Sequence, residues 1–286
     1  MPPGLQLLLT GVLFASGGAM LKLCEFPSLQ RAGLRAAIAA IALFSLLPEA
    51  RRRPTWRMLR IAPAYFGATV LFVIANAKTT AANAIFLQST APLWLVLLGP
   101  LLLRERATAR DLLVLAGIAG GMVLFFVAPA EVIQTAPDPR LGDWFAIASG
   151  LSYALLLLGL RWLARSGGEA AAAIAWGNLL TCPIALLLMP VFGQDPIAGS
   201  ARDWLVIGYL GVFQVGLAYT LMTRAIAHVT AVRAALLAMI EPPLNALLAW
   251  LVHGEVPHWL AAAGGMLIMG TVVAAALLAA RAADRN

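Results

Sequence analysis

Glu241 is an acid about eleven residues into an apolar stretch running from 230 to 252. At about 1.5 Å per helical residue it would sit near the middle of a hydrocarbon core roughly 30 Å thick. A charged side chain at that depth costs at least ~2.5–3.5 kcal/mol, so an acid there is a candidate for binding an amine or exchanging a proton. A structural reading stands beside it: Pro242 and Pro243 remove two backbone donors, and the acid could organise the carbonyls they free. Lys78 closes another apolar stretch, and His228 lies 150 residues further on. Each could stand at a mouth of a path, with Lys78 as a donor to a carboxylate; the plainer alternative is a snorkelling lysine and an interfacial histidine. Lys22 and Glu25, three apart, are expected to pair.

Polar uncharged groups recur on helical faces. Tyr65, Thr69, Phe72 and Asn76 are spaced by four, three and four, which places them on one face. Asn83 and Thr90 are two turns apart with Gln88 close by; Ser149, Ser152 and Tyr153 cluster, as do Trp176 with Asn178 and Gln214 with Tyr219. Faces mixing amide, hydroxyl and aromatic groups suit a small zwitterion with a flat apolar side chain, or else they tie helices together by hydrogen bonds. The candidate binding set is Tyr65, Asn76, Lys78, Asn83, Gln88, Tyr153, Trp176, Gln214, Tyr219 and Glu241. Bond-making chemistry finds no support. His228, His253 and His258 form no HExxH pair, there is no GxSxG, and no phosphate loop of the Walker type is present. Cys24 and Cys182 lack ligand spacing, so no metal, no cofactor and no enzymatic activity are expected.

Positioning such residues requires a membrane bundle. Of 286 residues, 62% are hydrophobic and 12% charged, against roughly 45–50% and ~25% in soluble domains. The apolar residues fall into ten blocks of spanning length, roughly 4–23, 30–48, 59–77, 80–103, 109–128, 142–163, 170–192, 203–224, 230–252 and 258–280. The first lacks the basic segment of a cleaved signal. The net charge of +7 is explained by orientation rather than by nucleic acid. Arg51, Arg52, Arg53, Arg57, Arg60, Arg104, Arg106, Arg110, Arg161, Arg165, Arg224, Arg281 and Arg285 would share one side of the bilayer. Lys22, Arg31, Lys78, Arg140 and Arg202 would share the other, leaving Arg35 and Arg233 within it. Thirteen against five places both termini in the cytoplasm by the positive-inside rule.

Residues 80–105 overlay 230–255 without a gap, at a constant offset of 150. Thr80-Ala81 falls on Thr230-Ala231, Pro92 on Pro242, Glu105 on Glu255 and, further on, Gly120 on Gly270. Five spans per copy put the second upside down, and the charges agree: the loop 104–110 carries three arginines, its counterpart 253–258 none. Inverted repeats characterise secondary transporters, with the substrate near the midplane. Pro92 and Pro242 interrupt their helices at equivalent places and are read as hinges.

These motifs resemble the EamA type of the drug/metabolite transporter superfamily. The first half carries Thr80-Ala81-Ala82, Ala91-Pro92-Leu93 and Leu103-Arg104-Glu105-Arg106 ahead of a glycine-rich helix. The second carries Ala218-Tyr219, Thr230-Ala231, Glu241-Pro242-Pro243, Gly254-Glu255 and Gly264-Gly265. The resemblance implies an all-α membrane protein of ten helices in a 5+5 inverted repeat, 1–128 and 141–286, around a central cavity. Its nearest branch is the bacterial amino-acid exporters, including the YddG-like exporters of aromatic ones. The expectation is therefore a multi-pass inner-membrane exporter or exchanger that works as a monomer and has a small-molecule substrate and the bilayer as partners. A phosphorylated solute would want several cations at the midplane, whereas a neutral aromatic or branched amino acid needs one acid, one donor and an apolar wall. Cationic drugs are the second expectation.

Overall fold

The computed structural model describes residues 1–103, 109–129, 133–166, 169–229 and 240–283, with 234 and 237. Arg104, Glu105, Arg106, Thr230, Ala231, Arg233 and Arg285 lie outside the described residues, as do the side chains of Arg110, Arg165 and Arg281.

Apolar stretches of this length can satisfy their backbone polar groups in lipid only within themselves, so they form helices. In chain order these are α1 (Pro3–Lys22), α2 (Ser28–Leu46), α3 (Trp56–Lys78), α4 (Ala81–Gln88) and α5 (Ala91–Leu103). They continue as α6 (Ala109–Val127), α7 (Pro139–Ser166), α8 (Ala170–Leu188), α9 (Ala201–Ile226), α10 (Glu241–His253) and α11 (Trp259–Ala283). Among the described residues, seven helices are long and apolar enough to cross a membrane. One of the seven joins α4 to the start of α5 as Ala81–Gly99. The three other expected spans, 109–128, 230–252 and 258–280, run partly through residues whose backbone or side chains lie outside the described set. Leu101, Leu187 and Leu205 are more than 70% exposed, which suits a surface facing hydrocarbon. The chain is a multi-pass membrane protein.

Several ends are set locally. Thr80 caps α4, its hydroxyl accepting from the Asn83 N–H at 3.1 Å. Ser200 and Asp203 form a capping box at the start of α9, and Asp203 also accepts from the Glu25 N–H at 2.7 Å, holding the α1–α2 turn.

The helices pack in pairs: α1 on α9 and α10, α7 on α3, α4 and α5, α2 on α8 and α9, α3 on α8, and α6 on α11. Small residues permit the last contact. A Cβ on Gly121 would come within 2.7 Å of the Gly264 carbonyl oxygen.

Two helices change pitch. α3 contains a π-helical turn at Gly67–Leu71 and α9 one at Leu210–Leu217. Such turns free carbonyls from the ladder and concentrate at functional sites. Between α4 and α5 the ladder tightens instead, with the Thr90 N–H donating to Leu87 O at 3.3 Å and Leu93 to Thr90 O at 2.9 Å. The Ser89 and Thr90 hydroxyls cover Ile85 O and Leu87 O, both at 2.7 Å. α7 crosses this break at Gly150, where a Cβ would stand 2.9 Å from Gln88 O.

Candidate functional site

The two π turns and the α4–α5 break converge on one small cavity. Its lining is Phe14 of α1, Arg35 of α2, Ala68, Thr69 and Phe72 of α3, and Gln88 of α4. The later helices supply Tyr153, Gln214, Val215, Tyr219 and Glu241. Its volume is about 50 Å³, room for a few waters and well below the ~300–1,000 Å³ of ordinary ligand pockets. A solute the size of an amino acid does not fit this volume as it stands.

Hydrogen bonds explain why the walls stand where they do. The Ala68 carbonyl, within the π turn, accepts from Gln88 Nε2 at 3.0 Å and from Ser149 Oγ at 2.8 Å. Gln88 also donates to Ser149 Oγ at 2.6 Å, tying α3, α4 and α7 at one point. Arg35, buried in mid-helix, reaches Gln214 Oε1 at 3.3 Å and Thr69 O at 3.4 Å. Phe14 meets Tyr219 edge-on with centroids 5.2 Å apart, and Tyr65 stacks behind Tyr219 at 5.6 Å. The Tyr153 hydroxyl is buried without a partner among the described residues. Glu241 makes no hydrogen bond or ion pair to any described residue.

One face of the bundle is closed by a buried ion pair. Lys22 Nζ, at the end of α1, lies 3.1 Å from Glu255 Oε1, with side chains only 4% and 2% exposed. Lys22 also donates to the carbonyls of Thr79 (2.9 Å) and Thr135. The other Glu255 oxygen accepts from the Ala81 N–H at 2.8 Å, at the N-terminus of α4. Glu25 is exposed and is not the partner of Lys22. Between this closure and the cavity lie Asn76, seven residues beyond Thr69 on α3, and Asn245, four beyond Glu241 on α10. Both are fully buried, and neither amide has a partner among the described residues. His253 Nε2 reaches Ala19 O at 2.8 Å beside the closure.

The candidate residues therefore separate into groups. Gln88, Tyr153, Gln214, Tyr219 and Glu241 meet at the cavity, with Tyr65 packed directly behind. Asn76 lies on the same helical face, displaced toward the Lys22 end. Three stand elsewhere. Lys78 is 36% exposed and pairs loosely with Asp138 at 3.9 Å. Asn83 donates to Asp143 at 3.4 Å and lines a separate outer hollow of about 400 Å³ with Arg140, Glu255 and His258. Trp176 donates through Nε1 to Arg52 O at 2.9 Å and packs on Phe44, at the opposite end of the bundle. Pro92 and Pro242 are each the second residue of a helix, α5 and α10, where a missing N–H is tolerated. Residues 238 and 239, ahead of α10, lie outside the described set.

Arg35 and Phe14 are cavity residues that the pattern of polar faces does not single out. The cost of an intramembrane charge already marks Arg35; Phe14, one aromatic in an apolar helix, carries no comparable signal. A third hollow of about 520 Å³, between Arg60, Pro63, Leu102, Leu155 and Trp162, is largely apolar.

The model of the EamA-like transporter family matches this chain twice, over residues 2–127 and 140–277. An uncharacterized protein of Pseudomonas aeruginosa is 30% identical, covering 94% of this chain and 96% of that one. An uncharacterized transporter of Archaeoglobus fulgidus is 28% identical over 78% and 77% of the two chains. A probable terminal-alkyne amino-acid exporter of Streptantibioticus cattleyicolor is 27% identical over 82% and 78%. A solved crystal structure superposes with a TM-score of 0.70 at 21% identity, covering 98% of both chains.

Proposed function

This chain belongs to the EamA-like transporter family, whose members are transporters, and we propose that it exports neutral amino acids, aromatic ones foremost, by alternating access. The single observation that carries this reading is the small central cavity. One acid, one base, two amides and several aromatic rings face it, drawn from early and late helices alike. A zwitterion with a flat apolar side chain offers a partner to each of these groups. The relative described as a probable amino-acid exporter adds support. The cationic-drug alternative is weakened by Arg35, because a second cation would face the first across about 50 Å³.

The architecture behind the proposal is a pair of inverted five-helix halves. Helix contacts support it. Counting α4 with α5 as the fourth span makes α10 the ninth and α11 the tenth. A first-half contact then recurs five spans later: α1 on α10 matches α7 on α4–α5, and α1 on α9 matches α7 on α3. The contacts α2 on α8 and α6 on α11 map onto themselves. The π turns fall in α3 and α9, the third and eighth spans. On this reading both termini are in the cytoplasm of a cell bounded by the inner membrane, and the Lys22–Glu255 pair closes the outer mouth. Flux into liposomes tests the function: phenylalanine, tyrosine and leucine should move, and nucleotide sugars should not. Movement of a nucleotide sugar with none of any amino acid would overturn the reading.

A further inference from the structure

The central cavity holds a base and an acid that do not meet. Arg35 is 4% exposed, and no carboxylate of a described residue lies within 4.0 Å of it. A guanidinium carries five donors and keeps its charge in proteins. Its two contacts here, at 3.3 and 3.4 Å, are both to neutral oxygens and longer than the ~2.7–2.9 Å of a charge-assisted bond. Glu241 faces the same space and has no partner among the described residues. Burying the Arg35 charge unpaired is costly, and a structural role would be expected to bring it to a counter-charge.

Resting on the amino-acid reading above, we infer that Arg35 receives the α-carboxylate of the substrate and Glu241 its α-ammonium. The site then recognises the zwitterionic head group itself. The planar guanidinium suits a carboxylate, which it can bind through two parallel hydrogen bonds. Phe14 and Tyr219, already edge to face, supply the wall for an apolar side chain. Arg35 lies on α2 and Glu241 on α10, so a bound zwitterion links an early helix to a late one and favours the state in which they are drawn together. Gln214, which accepts from Arg35 at 3.3 Å, gives up that contact when a carboxylate arrives.

The consequence is a requirement for both charged groups on the α carbon. A site whose buried donors are left unpaired discriminates strongly against the analogue that lacks the acceptor. In liposomes loaded with phenylalanine, competition by three analogues measures this. Phenylalaninamide and phenethylamine lack the carboxylate, and 3-phenylpropionate lacks the ammonium. The wild-type protein should prefer phenylalanine over each by at least about thirtyfold. Arg35→Gln should shrink the preference over phenylalaninamide to within about threefold while the preference over 3-phenylpropionate persists, and Glu241→Gln should do the converse. A wild-type protein that moves phenylalanine without these preferences overturns the inference and leaves the amino-acid reading intact. So do variants that slow all substrates equally, as a structural charge would. Failure of the wild-type protein to move any neutral amino acid removes the amino-acid reading itself.

Discussion

Side chains at the cavity differ in what their loss should do. Gln88 fastens α3, α4 and α7 through Ala68 O and Ser149 Oγ, and Gln214 steadies Arg35. Removing either amide loosens a wall as well as deleting a polar contact. Gln88→Ala and Gln214→Ala should each raise the apparent KM for phenylalanine by roughly tenfold, the effect of about 1.4 kcal/mol. Trp176 and Lys78 serve as controls, since both occupy faces away from the cavity. Trp176→Phe and Lys78→Ala should keep KM within about twofold. Uptake kinetics of the four variants check this, and a KM effect at Lys78 comparable to Gln214 would contradict the placement. These assignments also show what a sequence can reveal at the scale of one residue. Periodicity puts Thr69 and Phe72 on the face of α3 that lines the cavity. It cannot tell that Trp176, equally aromatic and equally helical, finds its acceptor in the Arg52 backbone, because that contact spans 124 positions in the chain.

Helices and their ends set how the molecule moves. The Lys22–Glu255 pair ties α1 to the loop after α10 and, through Thr79 and Ala81, to the α3–α4 turn. Opening that face requires separating a buried pair and hydrating it. Truncating one partner leaves the other charge buried and alone, typically a loss of about 3–5 kcal/mol. Lys22→Met should therefore lower the thermal midpoint in detergent, and Lys22→Met combined with Glu255→Gln should recover most of it. Equal midpoints for the wild type and Lys22→Met would show that the pair does not hold the face shut. The α4–α5 break is the second candidate for movement. Pro92 lacks the N–H that would reach the Gln88 carbonyl, and the Ser89 and Thr90 hydroxyls bond back to Ile85 O and Leu87 O, which already accept those residues' own N–H groups. Pro92→Ala should yield a folded protein with transport slowed several-fold and KM little changed; unaltered turnover at normal expression would count against a hinge. The break is legible from Pro92 alone. The π turns are not, because Gly67 and Gly211 sit among apolar residues that suit either helical pitch.

For the whole molecule, the run of apolar blocks and the twofold pattern of prolines and small residues make a two-repeat, all-helical transporter legible before any coordinates. Hydrocarbon forces long helices, and the family signature resides in helix ends and turns. Less legible is which polar faces share a cavity, since that depends on helix rotation and on the π turns that redirect Ala68, Thr69, Gln214 and Val215. Glu255 shows the same limit. Its repeat position is plain, but its partner Lys22 lies at the far end of the chain, and the nearer Glu25 is a natural yet different choice. The central claim is that the small central cavity is a substrate path opened in turn to the two sides of the membrane. Thiol access measures this directly. With Cys24 and Cys182 replaced by alanine, Thr69→Cys places one thiol on the cavity wall. In sealed vesicles of each orientation, an impermeant thiol reagent should label it from both sides, and phenylalanine should slow the labelling. Labelling from one side only, or labelling that phenylalanine leaves unchanged, would contradict the account.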